Sequence, residues 1–208
     1  MKVIDQNTWS RAALFNHFKN FKDPRFSMTI PFNVTKCYDW CKTNEASFFV
    51  SYLHACMRAI NETPNFNLRI NDNQVIEFAT IHASATVMRA DKTFGFTYFK
   101  YSEDYKVFKD NFEQEKYRVM NNEALFPPVY SLGCIHCSAN RWMVYTSHVE
   151  PIAPEDNGVP QLSFSKTYES DGALMMNVAI NIHHGLVDGY HVGLFADSFQ
   201  KYLNNYIK

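Results

Sequence analysis

The sequence predicts a single α/β domain over residues 1–208, a mixed β-sheet with helices packed mainly on one side. Three observations carry that expectation. No Gly/Ser linker, internal repeat or low-complexity stretch divides the 208 residues, and at about 150 residues per domain this length makes one large unit. Segments with helical spacing of apolar residues are interleaved with segments that read as strands. The last third runs strand, tight turn, helix.

In chain order, Trp9 to Phe21 sets Trp9, Ala12, Ala13, Leu14, Phe15 and Phe18 at helical spacing. Thr35 to Thr43 reads as a short helix. Ser47 to Glu62 reads as a longer one, opened by a Ser cap and closed before Pro64. Leu68 to Ala79 holds Asn71-Asp72-Asn73 between two apolar runs, a hairpin signal. Tyr105 to Asn121 is a polar, amphipathic helix, and Val129 to Ser138 a strand. Glu150 to Pro160 has three Pro, Gly158 and acidic residues, and reads as a solvated surface loop inserted in the domain. Leu174, Met176, Val178, Ile180 and Ile182 alternate with a strict period of two. After Gly189 the stripe becomes helical, through Val192, Phe195, Phe199, Tyr202 and Tyr206.

Composition excludes several function classes. With 46% hydrophobic and 20% charged residues the chain is no disordered polymer. Twenty Lys+Arg against 21 Asp+Glu leave a net charge of −1 and no basic stripe, so neither nucleic acid nor an anionic membrane is an expected partner. The most apolar segment, Leu174 to Ile182, carries two Asn and is too short to span a bilayer. Asp5 and Gln6 break the start before a secretory signal could form. Five cysteines, an odd number, read as free thiols in a reducing cytoplasm. Cys134 and Cys137, three apart in a strand, point to opposite faces. Cys37 and Cys41 share a helix face but lack a second pair of ligands, so no metal is expected. No G-x-G occurs, which removes dinucleotide and P-loop fingerprints. Eighteen Phe, 12 Tyr and 3 Trp suit a large core, an apolar ligand pocket or a subunit interface.

Chemistry concentrates at the strand-to-helix junction, His183-His184-Gly185-Leu186-Val187-Asp188-Gly189. If the strand lasts that far, parity sets His184 on the face of Ile180 and Ile182. An imidazole on a desolvated face tends to stay neutral at pH 7, as a general base must. His183 would point the other way, towards Asn181 and Asn177. Asp188 could order the turn through a charge contact, and two Gly relax the backbone where the chain reverses. The same string could also form a satisfied buried network without function.

The motif resembles the H-H-x-x-x-D-G signature of the chloramphenicol acetyltransferases, here HHGLVDGYHVG at residues 183–193. Dihydrolipoyl acyltransferases, carnitine acyltransferases and peptide-synthetase condensation domains share that signature. Further landmarks follow in the family's order: Trp9-Ser10-Arg11, Thr63 to Arg69, Thr93-Phe94, Leu125-Phe126-Pro127, Ser138-Ala139-Asn140-Arg141-Trp142 and Thr146-Ser147. Arg141 stands in place of the family's Pro.

The resemblance implies a two-layer sandwich like that of the CoA-dependent acyltransferases. It also implies acetyl transfer from acetyl-CoA, as co-substrate, to a hydroxyl of chloramphenicol or a similar small molecule, conferring resistance. By position, His184 is the general base and Ser147 the donor to the tetrahedral oxyanion. Asp188 pairs with Arg11 to hold the His loop, and Nδ1 of His184 bonds its own carbonyl. Ser163, where relatives carry Thr, would hold an ordered water near the oxyanion, and Lys166 would lie on the CoA side. In the acceptor pocket Phe18 replaces a Tyr, Phe96 a small residue and Tyr145 a Phe, while Phe94 is retained. A homotrimer is implied, with His184 from one subunit and much of the pocket from its neighbour. Three other readings stand beside this one: another hydroxylated acceptor, a hydrolase with Ser147 as nucleophile, and a protein that binds the drug without turnover.

Overall fold

The computed structural model describes residues 1–152 and 155–205, and every count below is of these. The chain begins with β1 (Lys2–Val3), α1 (Ala12–Phe18), β2 (Arg25–Asn33), α2 (Thr35–Thr43) and α3 (Phe48–Glu62). A 3₁₀ turn (Pro64–Asn67) leads into β3 (Leu68–Asn71), β4 (Gln74–Glu77), β5 (His82–Met88), β6 (Phe94–Phe96) and α4 (Tyr105–Met120). The chain continues with β7 (Cys134–Ala139), β8 (Gln161–Ser170), β9 (Ala173–His183) and α5 (Gly189–Asn204).

Six strands form one sheet in the order β2-β9-β8-β7-β5-β6, and β1-β4-β3 form a second. Strand β7 runs parallel to β5 and β8, while the other pairs of the large sheet are antiparallel, so the sheet is mixed as expected. Register explains its two faces. Ala85, Cys137, Leu162 and Ile180 line up across four strands and belong to the buried core, together with Val50, Phe108 and Phe195 from α3, α4 and α5. One residue along, Ser84, His136, Gln161, Asn181 and Ser27 line up on the opposite face. A period of two therefore separates an apolar layer facing the helices from a polar one. Asn181 Nδ2 donates to Gln161 Oε1 at 2.8 Å, which satisfies part of that polar layer.

Several boundaries shift for physical reasons. The first helix covers only Ala12–Phe18, because the residues before it form turns around the Asp5 carboxylate. Ser47 caps α3, its side chain accepting from Val50 N. Asp72 and Asn73 both have positive φ, the two-residue geometry that suits a hairpin. The stripe of α5 buries Val192, Phe195, Phe199 and Leu203, with Tyr202 only half-buried. Tyr206 lies outside the described residues. All five cysteines are free and buried.

The solvated loop expected at Glu150 to Pro160 is corrected in part: Pro151, Ile152 and Glu155 are exposed, Ala153 and Pro154 lie outside the described residues, and the end of the segment is not solvated. Gly158, Val159 and Pro160 are buried. Asp156 takes two hydrogen bonds from Arg25, at 2.5 and 2.8 Å, and Gln161 Nε2 donates to the Pro151 carbonyl at 2.8 Å. This segment covers the polar face, whose donors would otherwise need water.

Candidate active site

Strand β9 ends at His183, so strand parity does not aim His184; the turn does. His184 N donates to the Pro24 carbonyl at 2.8 Å, and the Leu186 and Val187 amides close on His183 O. Asn65 Nδ2 holds the Leu186 carbonyl at 2.8 Å, which gives one landmark of the Thr63–Arg69 stretch a physical task. Arg69, wholly buried, donates to four backbone carbonyls nearby. Neither glycine of the turn has positive φ. Gly185 is needed for space, since a Cβ there would lie 2.9 Å from His183 Cε1 and 3.1 Å from the Phe15 Cα.

Arg11 and Asp188 meet as expected, Nη1 donating to Oδ2 at 2.6 Å, and Arg11 Nη2 reaches the His184 carbonyl at 3.4 Å. Asp188 has a second partner that spacing did not disclose, His191, whose Nδ1 lies 2.7 Å from Oδ1. It is also the cap of α5, accepting from Tyr190 N. Burial alone would raise the Asp188 carboxyl, but the Arg11 hydrogen bond and the His191 contact lower it to about 2.

The His184 ring stacks on Phe18, with centroids 4.2 Å apart and planes 12° apart, and Phe26 lies 4.6 Å away. The bond from Nδ1 to its own carbonyl is a correction. Nδ1 is buried with no hydrogen-bond partner among the described residues, and ring contacts fix the imidazole instead. His183 is buried on the opposite face as expected, with Gly185 N donating to its Nδ1 at 3.1 Å.

The other site residues fall elsewhere. A cavity of about 960 Å³ lies against the polar sheet face, lined in part by Phe94, Phe96 and Phe126. Phe96 stacks on Phe126 at 5.3 Å and 8°. Ser147 is exposed in the segment beside it. That segment is fastened by Asn177 Nδ2, which donates to the Tyr145 carbonyl at 2.8 Å. Ser163, expected to hold a water, instead donates its hydroxyl to Glu150 Oε1 at 2.5 Å and is itself buried. His148 Nε2 bonds the same oxygen at 3.0 Å. Burial pushes the Glu150 carboxyl up, but the Ser163 and His148 hydrogen bonds outweigh it and hold the group below its ordinary value. Glu150 and His148 had no motif to announce them. Lys166 lies in the bulge of β8 between Phe164 and Thr167 and lines a second cavity of about 600 Å³, together with Lys116 and Arg141.

Within one chain, then, the residues divide into two groups, with Lys166 apart from both at the second cavity. Arg11, Phe18, His184 and Asp188 surround the turn. Phe94, Phe96, Tyr145, Ser147 and Ser163 surround or flank the larger cavity. Among the described residues neither cavity is lined by His184 or by Ser147.

Comparison with known proteins matches this architecture. The family model described as "Chloramphenicol acetyltransferase" fits residues 1–200. The chain is 26% identical over 206 residues to chloramphenicol acetyltransferases of Klebsiella sp and of Escherichia coli, covering 98% of this chain and 94% of each relative. A solved structure titled "chloramphenicol acetyltransferase" superposes with a TM-score of 0.87 at 28% identity, over 97% of this chain and 99% of that one. The cubic core of the pyruvate dehydrogenase multienzyme complex superposes with a TM-score of 0.67 at 16% identity, over 93% and 86%; that likeness is one of fold.

Proposed function

The chain belongs to the chloramphenicol acetyltransferase family, whose members are acyltransferases, and from that premise we propose that it moves the acetyl group of acetyl-CoA onto a hydroxyl of chloramphenicol. The observation that carries this reading is the tie from Arg11 through Asp188 to the turn bearing His184.

In the proposed reaction His184 removes the proton of the acceptor hydroxyl as its oxygen attacks the thioester carbonyl. A positioned base of this kind contributes about 10²–10⁴ in rate. The stack on Phe18 and the contact with Phe26 keep the imidazole in an apolar surround. The Ser147 hydroxyl donates to the tetrahedral oxyanion, which is worth roughly 10²–10³. Collapse of the intermediate expels CoA as its thiolate, which takes up the proton held by His184. Asp188 is a positioning residue: it faces Arg11 and His191, and no Ser-His-Asp relay runs through it. Lys166, with Lys116 and Arg141, offers three cations suited to the phosphates of CoA.

The separation of His184 from the cavity supports a trimer whose active sites lie between subunits. His184 then comes from one subunit, while Ser147 and the cavity come from its neighbour. Among the described residues no helix is long and apolar enough to cross a membrane. The five free thiols fit the cytoplasm, where the activity would confer resistance.

The test is release of the CoA thiol from acetyl-CoA with and without chloramphenicol, for the wild type and for His184→Ala. Release that needs the drug and falls by at least about 10² in the variant supports the transfer and its base together. Release without the drug would make the protein a hydrolase. Drug binding without release would make it a sequestering protein.

A further inference from the structure

The larger cavity contains a charge that a neutral acceptor leaves uncompensated. Its walls include the rings of Phe94, Phe96, Phe126 and Trp142, and set into them is Glu150. Arg25, the buried cation on the same lining, is neutralised by Asp156 through two hydrogen bonds. Lys92 and Glu155 are exposed and opposite in sign. Burial, helped by the charges of Arg25 and Arg69, lowers His136 to about 4, so it adds no charge at pH 7.

Glu150 itself is half-buried and ionised. Its bonds from Ser163 and His148 both end on Oε1. Two donors on one oxygen leave part of a carboxylate's accepting capacity, about four lone-pair positions, open to a ligand. A neutral ligand closing over this group replaces its water at most with a hydrogen bond from an O–H or N–H and supplies no opposite charge. An ammonium group replaces that water with a charge-assisted hydrogen bond, and aromatic faces attract it as well.

We propose that this cavity also takes hydroxylated small molecules carrying a cationic amine, with Glu150 as the counter-charge that favours them. The proposal rests on the acetyl-transfer reading for its chemistry, since the hydroxyl is the group acetylated. Its recognition step can be measured without turnover.

The probes are chloramphenicol and its deacylated amine, in which an ammonium replaces the neutral dichloroacetamide. Affinities of both are measured by titration calorimetry, without acetyl-CoA, for the wild type and for Glu150→Gln. Gln retains an oxygen for Ser163 and His148 while removing the charge. The expected result is a loss of about tenfold in amine affinity with chloramphenicol within about twofold. Equal losses for both ligands would make Glu150 a clamp on the Ser147 segment and overturn the proposal. Unchanged affinities, or an amine that fails to bind the wild type, would overturn it as well. CoA release is then followed with both ligands. Charge-dependent amine binding without release from either ligand supports this selectivity while rejecting acetyl transfer.

Discussion

Asp188 gathers three partners on one carboxylate: Arg11 on Oδ2, and Tyr190 N and His191 Nδ1 on Oδ1. It therefore caps the start of α5 and anchors the turn that carries His184. Asp188→Asn keeps the shape and removes the charge. Its side chain is 29% exposed against 13% for Arg11, so the loss belongs with caps and partly solvated pairs, at roughly 1–3 kcal/mol, and not with a fully buried pair. The sign of the pH dependence follows from a carboxyl held at about 2. Its folded value lies below its unfolded one, so its stabilisation is complete above the ordinary carboxylate range and is lost as pH falls towards 2. The gap in melting temperature between wild type and Asp188→Asn should accordingly be widest near pH 7 and close in acid. The CoA-release rate at pH 7 should fall in the variant. A pair of unchanged melting temperature and unchanged rate would remove the ion pair from both roles.

At the scale of elements, the turn after β9 depends on close approach more than on backbone freedom. Gly185→Ala would set a methyl against the His183 ring and the Phe15 backbone, at 2.9 and 3.1 Å. The ring can shift but the backbone of α1 cannot, so His184 should be displaced from its stack on Phe18. The expected outcome is a stability loss of about 1–3 kcal/mol by denaturant unfolding, with a kcat decrease larger than the change in either KM. Gly189→Ala, whose nearest neighbour is Met28 Cε at 3.8 Å, should leave rate and stability nearly unchanged. The same elements show what was legible in the sequence. Strands and helices with one buried face, such as β9 and α3, announce themselves through period and caps. Arg11 and Asp188, the length of the chain apart, were legible only through the family's landmarks. The Glu150–Pro160 segment was misread because Pro, Gly and acidic residues signal a turn-rich path, and say nothing about Arg25 waiting across the fold to neutralise Asp156. Glu150 and His148 were invisible because their meaning depends on Ser163, brought beside them by the register of β8.

The whole molecule poses a problem that one chain does not solve. One face of the large sheet is a polar row from Ser84 to Ser27, and the cavity beside it is lined by neither His184 nor Ser147 among the described residues. The cavity needs a base, and the proposed base, His184, needs an acceptor. A second copy of the chain meets both needs when the His184 turn of one subunit closes the cavity of the next, and repetition of that head-to-tail contact closes a ring. His184→Ala and Ser147→Ala make this testable by complementation, because each variant lacks one half of the site. Unfolded together in equal amounts and refolded, they form mixed rings. A junction works when its His184 comes from the Ser147→Ala chain and its Ser147 from the His184→Ala chain, which random assembly yields in about a quarter of junctions. Activity should then return to about one quarter of the wild-type value, although each variant refolded alone stays below about 1%. A site contained within one chain restores nothing on mixing, since no single chain in the mixture carries both groups. Sedimentation of the wild type at micromolar concentration gives the independent check: a trimer is required, and a monomer would exclude the shared site.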